Sequence, residues 1–439
     1  MQRDIYQKLI EWKSSKDRKP LLLQGARQTG KTYVLKEFGE KEYKNLVYCN
    51  FEKEPQLSGI FERDLRPQRI LEFLSLYKKT EIDPVQTILF FDEIQESNNA
   101  LNSLKYFCEE TPHYNIVAAG SLLGVKLSTP KSFPVGKVTL LSLSPMTFPE
   151  FLSAVGETRY RNMLEEMTAV EPLPDLIHNE LIEILKAYYF VGGMPEAVAR
   201  YVDSRSFEQV RAVQNDILRE YALDFAKHAP ASDIPKLSIL WDSIPGHLAR
   251  ENKKFIFSAI SKSARARDYE NALRWLCDAG LIQMAHAVET IQQPIAGFAD
   301  RHSFKVYMLD IGLLACLSRI PPGMLIDGHE LFTTYHGAFV ENYVAQQLAA
   351  LGSPLYYWKS GGNGTEVDFL YEHESIVFPL EVKAGINPKS KSLLAYDKKF
   401  KPRMLVRSTL LNLIKNGRIL NIPLYVVNYL DRLIAQSIA

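Results

Sequence analysis

The chain is poor in the residues that staple or metallate small proteins. Its four cysteines (Cys49, Cys108, Cys277, Cys316) are far apart, with no C-x-x-C pair in 439 residues. That excludes a disulfide scaffold and a zinc ribbon, and it fits reduced thiols in a cytoplasmic protein. The nine histidines are scattered, and none is paired at metal-ligand spacing on a helix. A charge surplus is also missing: 52 Lys and Arg face 51 Asp and Glu, for a net charge of +1. No global field therefore draws the protein to nucleic acid or to a membrane, and any basic surface must be local. No apolar run is long enough to cross a bilayer, and Met1–Lys19 is too polar for a secretory signal. What is present is 46% hydrophobic and 23% charged. That composition supplies ample core for a globular protein, and the length suggests about three domains.

Against this plain background one motif stands out. The apolar run Leu21–Gln24 leads into Gly25-Ala26-Arg27-Gln28-Thr29-Gly30-Lys31-Thr32, a full G-x-x-x-x-G-K-[ST] match, and a helical pattern follows from Tyr33. Strand, glycine loop and helix is the context that makes this a phosphate-binding loop. Backbone N–H groups and the helix N-terminus face the phosphates of ATP. Lys31 is expected to reach the β- and γ-phosphates, and Thr32 to hold Mg²⁺. A second apolar run, Thr87–Phe91, ends in Asp92-Glu93. Asp92 suits the Mg²⁺ site, and Glu93 the base that polarises an attacking water. Ser121, at the end of Ile116–Gly120, is a candidate γ-phosphate sensor or a turn cap.

Up to residue 150, strands alternate with helices. The strands are Leu21–Gln24, Leu46–Asn50, Ile88–Phe91 and Asn115–Ala119, with an extended run over Val138–Leu143; amphipathic Ile70–Lys78 and Leu101–Glu109 lie between. This predicts a parallel α/β sheet whose ligand sits at the carboxyl ends of the strands. Residues 151–232 read as a helical lid, with helices at Phe148–Val155, Leu176–Tyr189 and Phe207–Phe225 and a sharp turn at Gly192–Pro195. Over 233–300, helices at Leu237–Leu248, Phe255–Ser261 and Tyr269–Ala279 precede a strand, Leu281–Glu289. That order suggests a winged helix, with Lys262, Arg265, Arg267 and Arg274 turned to DNA or to a protein surface.

Residues 301–439 carry a second constellation. A helix opens at Gly337 and holds Glu341; strands follow at Leu355–Trp358, Glu366–Tyr371 and Ile376–Lys383, the last two as a hairpin turning at His373-Glu374. Alternation puts Glu381 and Lys383 on one face, and a suitable register adds Asp368, with Glu341 joining from the helix. Clustered carboxylates call for a cation, and hard oxygen ligands suit Mg²⁺ or Mn²⁺. The rival reading is a charged, solvated hairpin face. Downstream, residues 381–420 hold ten Lys or Arg against two acids, a local basic patch able to neutralise phosphates.

Together these residues resemble a bacterial and archaeal family of AAA-type, STAND-related ATPases fused to a domain of unassigned function. The likeness rests on Gly25–Thr32, Phe91–Gln95, Ala119–Ser121, Leu143–Phe148, Gly192–Pro195, Asn252–Lys254 and Lys305–Leu313. The set Glu341, Asp368, Glu381 and Lys383 resembles the PD-(D/E)XK nuclease superfamily, which implies Asp368 and Glu381 as metal ligands and Lys383 as catalytic. The stretch Lys389–Phe400 lacks the glutamine that many DNA-cleaving members carry there, and Arg200, Arg219 and Arg250 are equal candidates for an arginine finger. The expected architecture is a P-loop NTPase sheet (1–150) with a helical lid (151–232), a winged helix (233–300) and a PD-(D/E)XK-like α/β domain (301–439). The expected activity is ATP hydrolysis with Mg²⁺, coupled to a DNA-directed, nuclease-like domain. The rival is a regulatory ATPase with protein partners and a catalytically silent C-terminal binding module. No membrane partner is expected, and the oligomeric state is open.

Overall fold

The computed structural model describes residues 1–121, 134–248, 255–257, 265–321, 336–361, 364–385 and 390–438. The chain divides into two compact units, Met1–Ser144 with Asp278–Gly280, and Pro145–Cys277 with Leu281–Ala439. Among the described residues no helix is long and apolar enough to cross a membrane.

The first unit runs α1 (Ile5–Ser14), β1 (Leu21–Gly25), α2 (Lys31–Glu42), β2 (Asn45–Asn50), α3 (Pro67–Lys78), β3 (Thr87–Asp92), α4 (Asn98–Glu110), β4 (Asn115–Ser121) and β5 (Thr139–Ser142). The strands form one parallel sheet in the order β2-β3-β4-β1-β5. Their apolar runs are nearly continuous because both faces are covered. Leu22, Leu89, Phe91 and Ala118 pack with Ile70, Leu74, Leu104 and Phe107 from α3 and α4. Leu21, Leu23, Phe90 and Val117 pack with Leu9, Trp12, Leu35 and Phe38 from α1 and α2. β4 lies between β1 and β3, so Ser121 ends its strand in register with Gly25, beside the acidic end of β3.

The second unit begins with helices α5 (Phe148–Ala154), α6 (Thr158–Glu166), α7 (Asp175–Val191), α8 (Pro195–Ser204), α9 (Phe207–His228), α10 (Ile234–Leu248) and α11 (Ala266–Asp278). It continues with β6 (Ile282–Val288), β7 (Ala299–Met308), α12 (Ile311–Leu317), α13 (His336–Ala350), β8 (Tyr356–Lys359), β9 (Glu366–His373) and β10 (Ile376–Val382). It ends with α14 (Lys391–Phe400), β11 (Leu405–Thr409), β12 (Ile414–Asn416), β13 (Ile419–Pro423) and α15 (Leu430–Ile438). These strands build one mixed sheet in the order β12-β13-β11-β10-β9-β8-β6-β7. β6 is antiparallel to β7 and parallel to β8. The strand expected to close a winged helix thus belongs to the C-terminal sheet, and residue 300, where a boundary was expected, lies inside β7. Most of Phe255–Ser261, with Arg250, Asn252–Lys254, Lys262 and Lys389, lies outside the described residues.

The Gly192–Pro195 turn behaves as its composition dictates. Gly192 leaves α7 at φ 74°, in the left-handed region that glycine enters without cost. A Cβ on Gly193 would lie 2.0 Å from the Met146 carbonyl oxygen. That close approach lets Met146 N–H donate to the Gly193 carbonyl at 2.6 Å, while Gly193 N–H donates to Asp310 at 2.6 Å. Asp310 also caps α12 by accepting from Leu313 N–H. Burial raises its carboxyl to about 6, against the pull of these donors.

Candidate functional site

In the first unit the loop after β1 closes on itself. Gly30, at φ 91°, is the N-cap of α2, and Gln28 also takes a positive φ of 62°. A Cβ on Gly25 would meet the Leu143 carbonyl oxygen at 2.3 Å, so only glycine fits there. Lys31 is buried, and its Nζ donates to the Gly25 and Ala26 carbonyls at 3.1 and 2.7 Å. Burial pushes its ammonium down to about 8, although Glu93 and Asp92 pull the other way. Arg27 and Gln28 are half-buried on the loop, and Thr29 is fully buried, its hydroxyl donating to Ala26. Arg3 braces the loop from α1's side, donating to the Thr29 carbonyl at 2.8 Å and to the Ser144 carbonyl at 2.6 Å.

Asp92 ends β3 next to this loop. Thr32 Oγ1 lies 3.1 Å from both of its carboxylate oxygens. Tyr48 O–H donates to Asp92 Oδ2 at 2.7 Å and Asn50 Nδ2 at 3.2 Å. Burial, then the bond to Asp92, raises the Tyr48 phenol, which keeps it a donor. Glu93 follows at φ 50°, ψ 45°. A non-glycine residue held there stores on the order of 1 kcal/mol of strain, a feature that clusters at functional sites. Gln95 Nε2 fixes the Glu93 carboxylate at 2.6 Å. Thr32 and Asp92 present the hard oxygens that Mg²⁺ takes beside nucleotide phosphates, so the donor set fits that ion.

In the second unit the expected C-terminal residues do converge. β9 and β10 form an antiparallel hairpin in which Phe369 pairs with Leu380, so Asp368 faces Glu381 across the next rung. The turn falls one residue later than expected: Glu374 and Ser375 take φ of 47° and 63°, as a tight two-residue hairpin turn demands. Asp368 and Glu381 are buried, as is Glu341 on α13. The rival reading of a solvated hairpin face does not hold, because α13 and α14 both pack on β10. Lys383 Nζ lies 2.7 Å from Glu381 Oε1. Burial works to lower the Lys383 ammonium, but Glu381 prevails and holds it above its usual value. Burial, together with Glu341 and Glu381, raises the Asp368 carboxyl well above the usual range.

A fully buried lysine from β7 also enters this cluster. Lys305 Nζ is 2.9 Å from Glu366, 3.8 Å from Glu341 and 3.9 Å from Asp368. Burial opposes its charge, yet the three carboxylates raise its affinity for the proton. Sequence reasoning did not assign Lys305, Glu366, Tyr48 or Asn50 to a site. The available signal was a lone lysine inside the apolar run Phe304–Leu309, and two polar residues at the carboxyl end of β2. Among the described residues, no three His, Cys, Asp or Glu side chains are arranged to hold a metal ion.

Residues 17–152 match the family of AAA domains. Residues 182–323 match a domain of unknown function, DUF8612, and residues 336–425 another, DUF4143. Among solved structures, the chain is similar to the Walker-type ATPase PABY2304 of Pyrococcus abyssi, at 16% identity and a TM-score of 0.45, over 72% of this chain and 95% of that one. It is also similar to Orc1 of Aeropyrum pernix in complex with DNA, at 15% identity and a TM-score of 0.31, over 73% and 92%. The RuvB Holliday junction branch migration motor of Thermotoga maritima gives 15% and 0.29, over 64% and 89%. No curated protein matches. The match over residues 17–152 supports an AAA-type P-loop domain in the amino-terminal part.

Proposed function

We propose that this chain is an ATP-driven switch that binds and hydrolyses ATP at the loop 25–32 with Asp92 and Glu93, and whose C-terminal domain grips DNA. The observation that carries the ATPase reading is the pairing of Thr32 with Asp92 at 3.1 Å, across the strand ends, beside a buried Lys31. A triphosphate tail draws Lys31 Nζ off the Gly25 and Ala26 carbonyls, and the loop amides and the α2 N-terminus meet its oxygens. Thr32 and Asp92 would hold Mg²⁺, which neutralises charge on the phosphates. Tyr48 and Asn50 keep Asp92 aimed. Glu93, held by Gln95, orients the attacking water and accepts its proton, and Ser121 contacts the terminal phosphate from β4.

The DNA-directed reading is supported by exposed Lys391, Lys398, Lys399, Lys401 and Arg403 on and after α14, since phosphate neutralisation drives such binding. The basic residues of α11 support it less: Arg267 and Arg274 are exposed, but each has an acid of its own helix nearby, Asp268 at 3.7 Å and Glu270 at 3.5 Å. Metal-dependent cleavage is opposed by Lys305, whose ammonium lies 3.8 Å from Glu341 and 3.9 Å from Asp368, two of the carboxylates such a reaction would use.

Titration with a fluorescent ATP analogue tests the ATPase assignment. Lys31→Ala is expected to abolish binding, while Glu93→Gln keeps binding and loses turnover by about a hundredfold or more. Unchanged affinity in Lys31→Ala refutes the loop assignment.

A further inference from the structure

The carboxylates of the C-terminal cluster are held by protein donors. Asp368 Oδ2 accepts from Val382 N–H at 2.8 Å. Glu381 Oε1 meets Lys383 Nζ at 2.7 Å and accepts from the Ser392 hydroxyl at 3.0 Å. Glu341 Oε2 accepts from the Tyr307 hydroxyl at 3.1 Å. Within this cluster Glu381 Oε2 is a buried oxygen without a hydrogen-bond partner.

The place a cation would take is filled from within. Lys305 Nζ lies 2.9 Å from Glu366, 3.8 Å from Glu341 and 3.9 Å from Asp368. Its side chain has no solvent exposure, and its ammonium lies 4.8 Å from the centre of the Tyr357 ring. A lysine packed on all sides cannot swing out to admit an ion. A dication brought up to Asp368 would meet a fixed positive charge at close range in a water-poor pocket, where repulsion is strongest.

We propose that Lys305 is the resident cation of this pocket: its ammonium stands where a divalent ion would bind among Glu341, Glu366 and Asp368, and the C-terminal domain works without a metal. The carboxylate cluster then serves as a buried ionic lock between β7, β9, β10 and α13. It holds the sheet that presents the basic surface of α14, and it performs no metal-assisted hydrolysis. This inference stands on the C-terminal pocket alone and is independent of the ATPase reading.

Mn²⁺ uptake by the full-length protein without nucleotide, followed by loss of the free-ion paramagnetic resonance signal, tests it. Wild type and Glu381→Gln are expected to titrate alike, and Lys305→Met to take up additional Mn²⁺. Mn²⁺ bound by the wild type and released by Glu381→Gln overturns the proposal. So does a Lys305→Met variant that is folded by circular dichroism yet takes up no more Mn²⁺ than the wild type. Should Lys305→Met not fold, the comparison of wild type with Glu381→Gln decides by itself.

Discussion

Lys31 illustrates how a single residue can be legible in type and illegible in state. The spacing of the loop assigns it to phosphate, but only the fold buries it against two carbonyls and pushes its ammonium down to about 8. Below that pH the side chain is charged and ready for an anion; above it, binding must take up a proton. ATP affinity is therefore expected to hold below about pH 8 and to fall above it, approaching about tenfold per unit, as read by analogue titration across pH. The stability of the nucleotide-free protein runs in the opposite sense. The folded value lies below the ordinary 10.5, so Lys31's contribution increases as pH rises through that window and is lost as pH falls back toward 8. Tyr48 is a residue that no motif flagged. Its O–H donates to Asp92 at 2.7 Å, and a partner that orients a metal-binding carboxylate is typically worth about tenfold or more in ion affinity. Tyr48→Phe is expected to raise the Mg²⁺ concentration for half-maximal ATPase activity by about that factor; an unchanged Mg²⁺ titration would remove Tyr48 from the site.

At the scale of elements, the strands of the first sheet are legible because each is an apolar run ended by a turn or a polar residue. The expected Leu46–Asn50 and Ile88–Phe91 become Asn45–Asn50 and Thr87–Asp92. Their lateral order was not legible, since a parallel sheet leaves every buried strand looking alike. The hairpin β9–β10 was legible in pairing, and its turn moved by one residue because His373 still pairs with Ile376 in the ladder. The Gly192-Gly193 turn carries the sharpest expectation for stability. A Cβ on Gly193 would press into the Met146 backbone at 2.0 Å, and backbone on both sides gives way only at a cost of about 3 kcal/mol or more. Gly193→Ala should lower the melting temperature by several degrees in calorimetry. Gly297→Ala, where nothing lies within 4 Å of the added carbon, should leave it nearly unchanged.

For the whole molecule, the near-neutral net charge of +1 conceals a basic C-terminal surface. If that surface meets DNA, duplex affinity should weaken steeply with salt, and replacing Lys398, Lys399 and Lys401 with alanine should reduce the log–log salt slope by about 2 to 3. A slope unaltered by the triple substitution would move the contact elsewhere. The sequence by itself determined the phosphate loop, the acidic end of β3, the alternation of strands and helices around them and the candidate carboxylates of the C-terminal part, because spacing and hydrophobic period act over a few residues and survive without tertiary context. Only the tertiary structure decided that β6 and β7 join the C-terminal sheet, that Tyr48 and Asn50 hold Asp92, and that Lys305 enters the carboxylate cluster from thirty-six residues before Glu341. Such meetings depend on which strands lie side by side and on what burial does to charge, and neither is written in local order.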